Sequence, residues 1–281
     1  MRRFGWIGAA LLLVLFSVTP ASAAQHDYLA LGDSVAFGYR PPAVTPPADY
    51  FDASNFAGYP ERYSPNVTNA SCPGETTASM IIPGAQSNGC ENSVGSPFGY
   101  RTIYPLHVSY SGTQLEYAVW FLKTHPRTRL VTIDIGANDL LVCQQTTPDQ
   151  CTGASFPVAL QRISRNLTTI FAALRGAARY RHDLVLVSYY ALDYRDPVAV
   201  AQVQALNAAL AGPTLRFGGV VADGFGAFQE ASRATGGDPC AAGLLIALPT
   251  GGCDVHPTAK GHAVLAGAVE DAVAKGQRHA A

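Results

Sequence analysis

Three observations in the sequence predict an α/β fold with a parallel, doubly wound sheet. Short apolar runs alternate along the chain with helical patterns. The runs lack strict polar–apolar alternation, as strands buried on both faces do. No repeat, charge run or long linker divides the chain into separate units. Parallel strands joined in this way need right-handed crossovers, which place helices on both faces of the sheet.

The first residues stand outside that pattern. Arg2-Arg3, an apolar stretch over 6–18 and the small residues Thr19-Pro20-Ala21-Ser22-Ala23 have the three parts of a secretory signal peptide, with cleavage expected after Ala23 or Ala24. The apolar run is shorter than the roughly 20 residues of a spanning helix. No second run of that length follows, so no transmembrane segment is expected, and 24–281 is read as one exported domain. Strands are then expected at 28–33, 67–72, 130–135, 184–189 and 219–222. Between and after them the helical periodicity is clearest at 114–124, 158–180, 198–211 and 261–274. Two stretches stay irregular. Residues 39–52 carry four prolines in two pairs, and 83–112 are rich in glycine and carry Phe98, Tyr100, Tyr104, His107 and Tyr110. Loops of this length in a compact domain are usually functional or mobile. Both could wall a cleft, though burial of their aromatics against the domain is the plainer expectation.

Composition narrows the function classes. Apolar residues make up 48% of the chain and charged ones 14%, which fits a single well-filled core. Loss of Arg2 and Arg3 from the 19 basic residues leaves 17 against 20 acidic ones, a balance of −3 in which nothing favours nucleic acid. All six cysteines follow the leader. Six allow 15 pairings, and the sequence-local one is adopted here: Cys72 with Cys90, Cys143 with Cys151, Cys240 with Cys253. Export makes disulfides the default state. The spacings match no metal-ligand pattern, so neither metal nor cofactor is expected and chelators should leave activity intact.

Chemistry-bearing residues fall where strands end. Gly32-Asp33-Ser34 follows the first strand, and Gly74, within Cys72-Pro73-Gly74-Glu75-Thr76, follows the second. Asn138, within Gly136-Ala137-Asn138-Asp139, follows the third, and His256 precedes the last helix. Successive parallel strands end on one side of the sheet, so residues remote in sequence can converge there. A serine becomes a nucleophile when a neutral imidazole takes its proton and donors await the oxyanion. The GxSxG elbow of the common α/β-hydrolases is absent from the sequence.

With these four blocks in order, the mature chain resembles the SGNH, or GDSL, hydrolase family from end to end, and is similar to its secreted three-disulfide actinobacterial esterases and lipases. The resemblance implies a flavodoxin-like three-layer α/β/α sandwich with five parallel strands. It also implies Ser34 as nucleophile and His256 as general base, then acid. An oxyanion hole would be made of the Ser34 and Gly74 backbone N–H groups and the Asn138 side-chain amide. One position departs from the pattern. The family commonly has an Asp three residues before the histidine, where this chain has Cys253, while Asp254 lies two before. Asp254 is expected to orient the ring from a short irregular loop; a Ser–His dyad held by a backbone carbonyl is the alternative.

The expected protein is thus a secreted, cofactor-free serine ester hydrolase, a monomer acting on a small-molecule or lipid ester. An acyltransferase or phospholipase using the same site, and a non-catalytic glycan- or lipid-binding descendant, remain the alternatives. His107, His125, His182 and His262 are expected to pack or face solvent. Asp33 and Asp139 should bond their own turns, and Asp193 and Asp223 should cap.

Overall fold

The computed structural model describes Met1 and residues 27–280, except residue 45; apart from Met1, the leader expected over 1–23 lies outside the described residues. Strand β1 (Tyr28–Gly32) is buried along its whole length. Its last residue has φ +137°, and a Cβ there would stand 2.1 Å from the Asp134 carbonyl oxygen, so glycine alone lets these two strand ends approach so closely. One helical turn follows, α1 (Ser34–Phe37), capped by the Asp33 carboxylate, which accepts from the Val35 N–H. Then come α2 (Tyr59–Tyr63), the edge strand β2 (Val67–Asn69) and α3 (Tyr100–Ile103). Helix α4 (Gln114–Thr124) opens on a reciprocal cap: Thr113 Oγ1 accepts from the Glu116 N–H, and Glu116 Oε2 accepts from the Thr113 N–H.

The second half continues the alternation with β3 (Leu130–Asp134), α5 (Ala137–Thr146), α6 (Ser155–Ala172), β4 (Asp183–Val187), α7 (Pro197–Arg216), β5 (Val220–Ala222) and α8 (Gly224–Ala231). It closes with β6 (Leu245–Ala247), β7 (Cys253–Pro257) and α9 (Ala259–Ala280). The five main strands pair in parallel in the order β2-β1-β3-β4-β5, with β1 flanked by β2 and β3. This is the flavodoxin-like arrangement with its switch point beside β1. Helices α6 and α7 pack together on one side and α2 and α9 on the other, giving three layers. Leu29, Leu31, Ile133, Leu184 and Leu186 fill the middle layer and are almost wholly buried.

Several elements differ from the sequence expectation. The segment read as a short loop before His256 is a strand: β6 and β7 form an antiparallel hairpin, closed by a turn in which the Leu248 N–H donates to the Gly252 carbonyl. Gly251 and Gly252 disguise it, because paired glycines in a sequence signal loop as readily as hairpin turn. Helices α5 and α8 lie outside the helical periodicity of the sequence. Helix α8 begins Gly224-Phe225-Gly226, a poor helical start by propensity. Asp223 caps it by accepting from the Gly226 N–H, and Phe228 anchors it in the core. The helix expected over 158–180 begins earlier and leaves α-geometry at Ala173, where a π-turn runs to Ala177.

Candidate active site

Ser34 is the first residue of α1, immediately beyond the end of β1. Its Oγ lies 2.8 Å from His256 Nε2. The other ring nitrogen, Nδ1, is in short contact with Asp254 Oδ1, which also accepts from the His256 backbone N–H at 3.0 Å. Strand geometry explains the pairing. Side chains two residues apart in β7 point to the same side, so Asp254 and His256 come together where a spacing of three would put them on opposite faces. An ionised carboxylate only accepts, so Nδ1 carries the proton and Nε2 is free to accept from the serine hydroxyl. Burial opposes the charge on Asp254, but the hydrogen bond from His256 and the imidazole's field hold its carboxyl below the ordinary range. The Tyr190 hydroxyl donates to the Val255 carbonyl at 2.7 Å, pinning the strand between the two residues.

Asn138 lies in the first turn of α5, beyond β3. Its Nδ2 donates to Asp33 Oδ2 at 3.1 Å and its Oδ1 accepts from Asn88 Nδ2 at 2.8 Å. Gly74, at φ +82°, lies against the backbone of Asn88, where a Cβ would meet the Asn88 carbonyl oxygen at 2.5 Å. The Asn88 N–H in turn donates to the Gly74 carbonyl at 2.8 Å. Among the described residues no protein acceptor takes the backbone N–H of Ser34 or of Gly74. The structure therefore gathers Ser34, Gly74, Asn138, Asp254 and His256 at the carboxyl ends of β1 and β3, beside the added hairpin.

Behind the serine is a buried acid layer. Asp33 accepts from the Tyr189 hydroxyl at 2.7 Å as well as from Asn138 and Val35. Burial raises the Asp33 carboxyl despite these donors, and burial together with the charge of Asp33 drives neighbouring Asp134 well above the carboxylate range. Glu75, next to Gly74, is pushed up to about 8 by burial. It accepts from Ser79 Oγ and from Gln114 Nε2, and that same glutamine bonds both backbone groups of Gly32.

The remaining acids and histidines are placed as follows. Asp139 reaches beyond its own turn; it accepts from the N–H and hydroxyl of Thr77, which ties α5 to the segment after Gly74. Burial pushes it up to about 6. Asp223 caps α8, and Asp193 pairs with Arg195. His107 bonds the Phe37 carbonyl, His125 stacks on Phe121, His182 meets Arg129 and His262 is buried. Sequence reasoning missed two neighbours of the site, Asn88 and Tyr39. The Tyr39 ring lies 4.9 Å from that of His256, at the edge of an aromatic cluster with Tyr50, Phe56 and Tyr100 to which both irregular stretches contribute. Of the aromatics expected to bury, Phe98 stays 64% exposed.

All three sequence-local disulfides are present, Cys72–Cys90, Cys143–Cys151 and Cys240–Cys253. The first joins the Gly74 segment to the loop of Asn88, and the third ties β7 to the chain before β6.

The sequence model of the GDSL-like lipase/acylhydrolase family matches residues 30–264. No curated protein sequence matches the chain at a significant level. Among solved structures, phospholipase A1 from Streptomyces albidoflavus NA297 is similar at TM-score 0.55 and 17% identity, over 89% of this chain and 100% of that one. A lipase from a goat rumen metagenome is similar at TM-score 0.55 and 15% identity, over 88% and 97%. An acetylxylan esterase from Geobacillus stearothermophilus is similar at TM-score 0.52 and 17% identity, over 88% and 94%. At these identities the likeness is one of fold.

Proposed function

The chain belongs to the GDSL-like lipase/acylhydrolase family, and on that premise we propose that it is an exported serine hydrolase that cleaves carboxylic esters through an acyl-enzyme. The observation that carries this reading is the unbroken line from Asp254 through His256 to Ser34, with its 2.8 Å contact between imidazole and hydroxyl.

In the first step the Ser34 Oγ bonds the ester carbon while its proton passes to His256 Nε2. The carbonyl electron pair moves onto oxygen, where the Ser34 and Gly74 N–H groups and the Asn138 amide would receive it. Asp254 keeps Nδ1 protonated and stabilises the imidazolium that forms. When the carbonyl reforms, the alcohol leaves with the proton from His256. Water then attacks the acyl-enzyme, gives His256 a proton, and the acid leaves as Ser34 Oγ regains it. The aromatic cluster at Tyr39 supports an ester with an apolar part lying beside His256. Three disulfides support an oxidising compartment, and we assign residues 1–23 as the leader that takes the domain 24–281 there.

The test is hydrolysis of p-nitrophenyl esters from acetate to laurate by the oxidised protein and by Ser34→Ala. Loss of turnover in the variant at unchanged fold is the expected result. Equal turnover by both proteins would remove the serine mechanism.

A further inference from the structure

Gly74 and Asn138 reach the site from different strand ends, so their N–H groups share a target only if something sets one against the other. Among the described residues, Asn88 alone bonds both. Its backbone N–H donates to the Gly74 carbonyl at 2.8 Å, and its Nδ2 donates to Asn138 Oδ1 at 2.8 Å. Asn88 is itself held: Gln145 Nε2, on the same helix as Asn138, donates to Asn88 Oδ1 at 3.0 Å. Two residues further on, Cys90 is bridged to Cys72, two residues before Gly74.

The chemistry of an amide makes this arrangement directional. Asn138 has one carbonyl oxygen and two N–H groups. Asn88 occupies the oxygen and Asp33 takes one N–H, which leaves the second N–H with a fixed direction. We propose that the Asn88 side chain is a positioning residue of the oxyanion site, acting on the reaction through Asn138 without touching substrate, while its backbone N–H, which substitution leaves in place, holds Gly74. The inference rests on the reading that these two groups receive the oxyanion. A donor misplaced by about an ångström forfeits much of the roughly 100- to 1000-fold that it supplies.

A double-mutant cycle separates this role from mere loop packing. kcat and KM are measured on p-nitrophenyl butyrate for the wild type, Asn88→Ala, Asn138→Ala and the double variant, with thermal unfolding of each. Asn88→Ala is expected to lower kcat about 10- to 100-fold with KM within about twofold, and to cost less than about twofold further once Asn138 is already alanine. Unchanged kcat in Asn88→Ala, or its full loss repeated in the Asn138→Ala background, overturns the inference while leaving the serine mechanism intact. Unchanged kcat in Asn138→Ala overturns the oxyanion reading and this inference with it. Should Asn88→Ala fail to fold, Asn88→Ser and Gln145→Ala carry the same cycle, the latter with a smaller loss in the same direction.

Discussion

At the scale of single residues, the question is how much each group adds to the Ser34–His256 pair. Asp254 accepts both the Nδ1 proton and the His256 backbone N–H, so removing it frees the ring to turn and to change tautomer. Asp254→Ala is therefore expected to lower kcat by about 100- to 10,000-fold, and by less than Ser34→Ala, in side-by-side kinetics on one ester. A loss of less than about threefold would favour an imidazole held by a backbone carbonyl. Asn138→Ala is expected to lower kcat by roughly 100- to 1000-fold with little change in KM; a rise in KM at constant kcat would make it a ground-state contact instead. Ser34, Gly74, Asn138 and His256 were legible in the sequence because each sits in a short block whose order along the chain is itself informative. Asp254 was legible as a residue, but its geometry was not, since only a strand brings residues two apart to one side. Asn88 and Tyr39 gave no signal, because their positions depend on long irregular segments folding back onto the site.

At the scale of elements, the hairpin β6–β7 carries Asp254 and His256, yet it is no part of the main sheet. The Cys240–Cys253 bridge fastens it one residue before Asp254. Opening a bridge of this kind typically costs about 2 to 4 kcal/mol, some of it through the unfolded chain. Here the closed loop also ends at the site. The variant Cys240→Ser/Cys253→Ser should thus lose activity at temperatures well below its unfolding midpoint, read by parallel kinetics and calorimetry. If activity and unfolding fell together, the bridge would be a staple for the fold and nothing more. The five strands of the main sheet were readable from their apolar runs. The hairpin was not, because β6 is three residues long and its turn is written in proline, threonine and glycine, which serve equally for loops.

Taken as a whole, the molecule places its site at the switch point of the sheet over a bed of buried acids. Glu75, Asp134, Asp33 and Asp139 are all raised by burial, Glu75 to about 8 and Asp139 to about 6. In the unfolded chain such groups release their protons near pH 4. Between that pH and their folded values the native state binds more protons than the unfolded one, so stability must fall as pH rises. The contribution is fully present below about pH 4 and is lost as pH climbs through about 8, where Glu75 ionises within the fold. Asp52, Asp149, Asp193 and Asp254 are shifted the other way, but their contribution is already complete above about pH 5, and buried His262, lowered to about 3, opposes the decline only below about pH 7. The thermal midpoint should accordingly stand higher near pH 5.5 than near pH 8.5. Glu75→Gln tests the assignment, since a neutral amide keeps partners at Ser79 and Gln114 and has no proton to lose. Its midpoint should match the wild type near pH 5 and exceed it by several degrees near pH 8.5, on the order of a few kcal/mol. Curves that ran parallel across this range would mean that Glu75 is already ionised in the fold. The decline with pH would then have to come from the Asp33–Asp134 pair behind the serine.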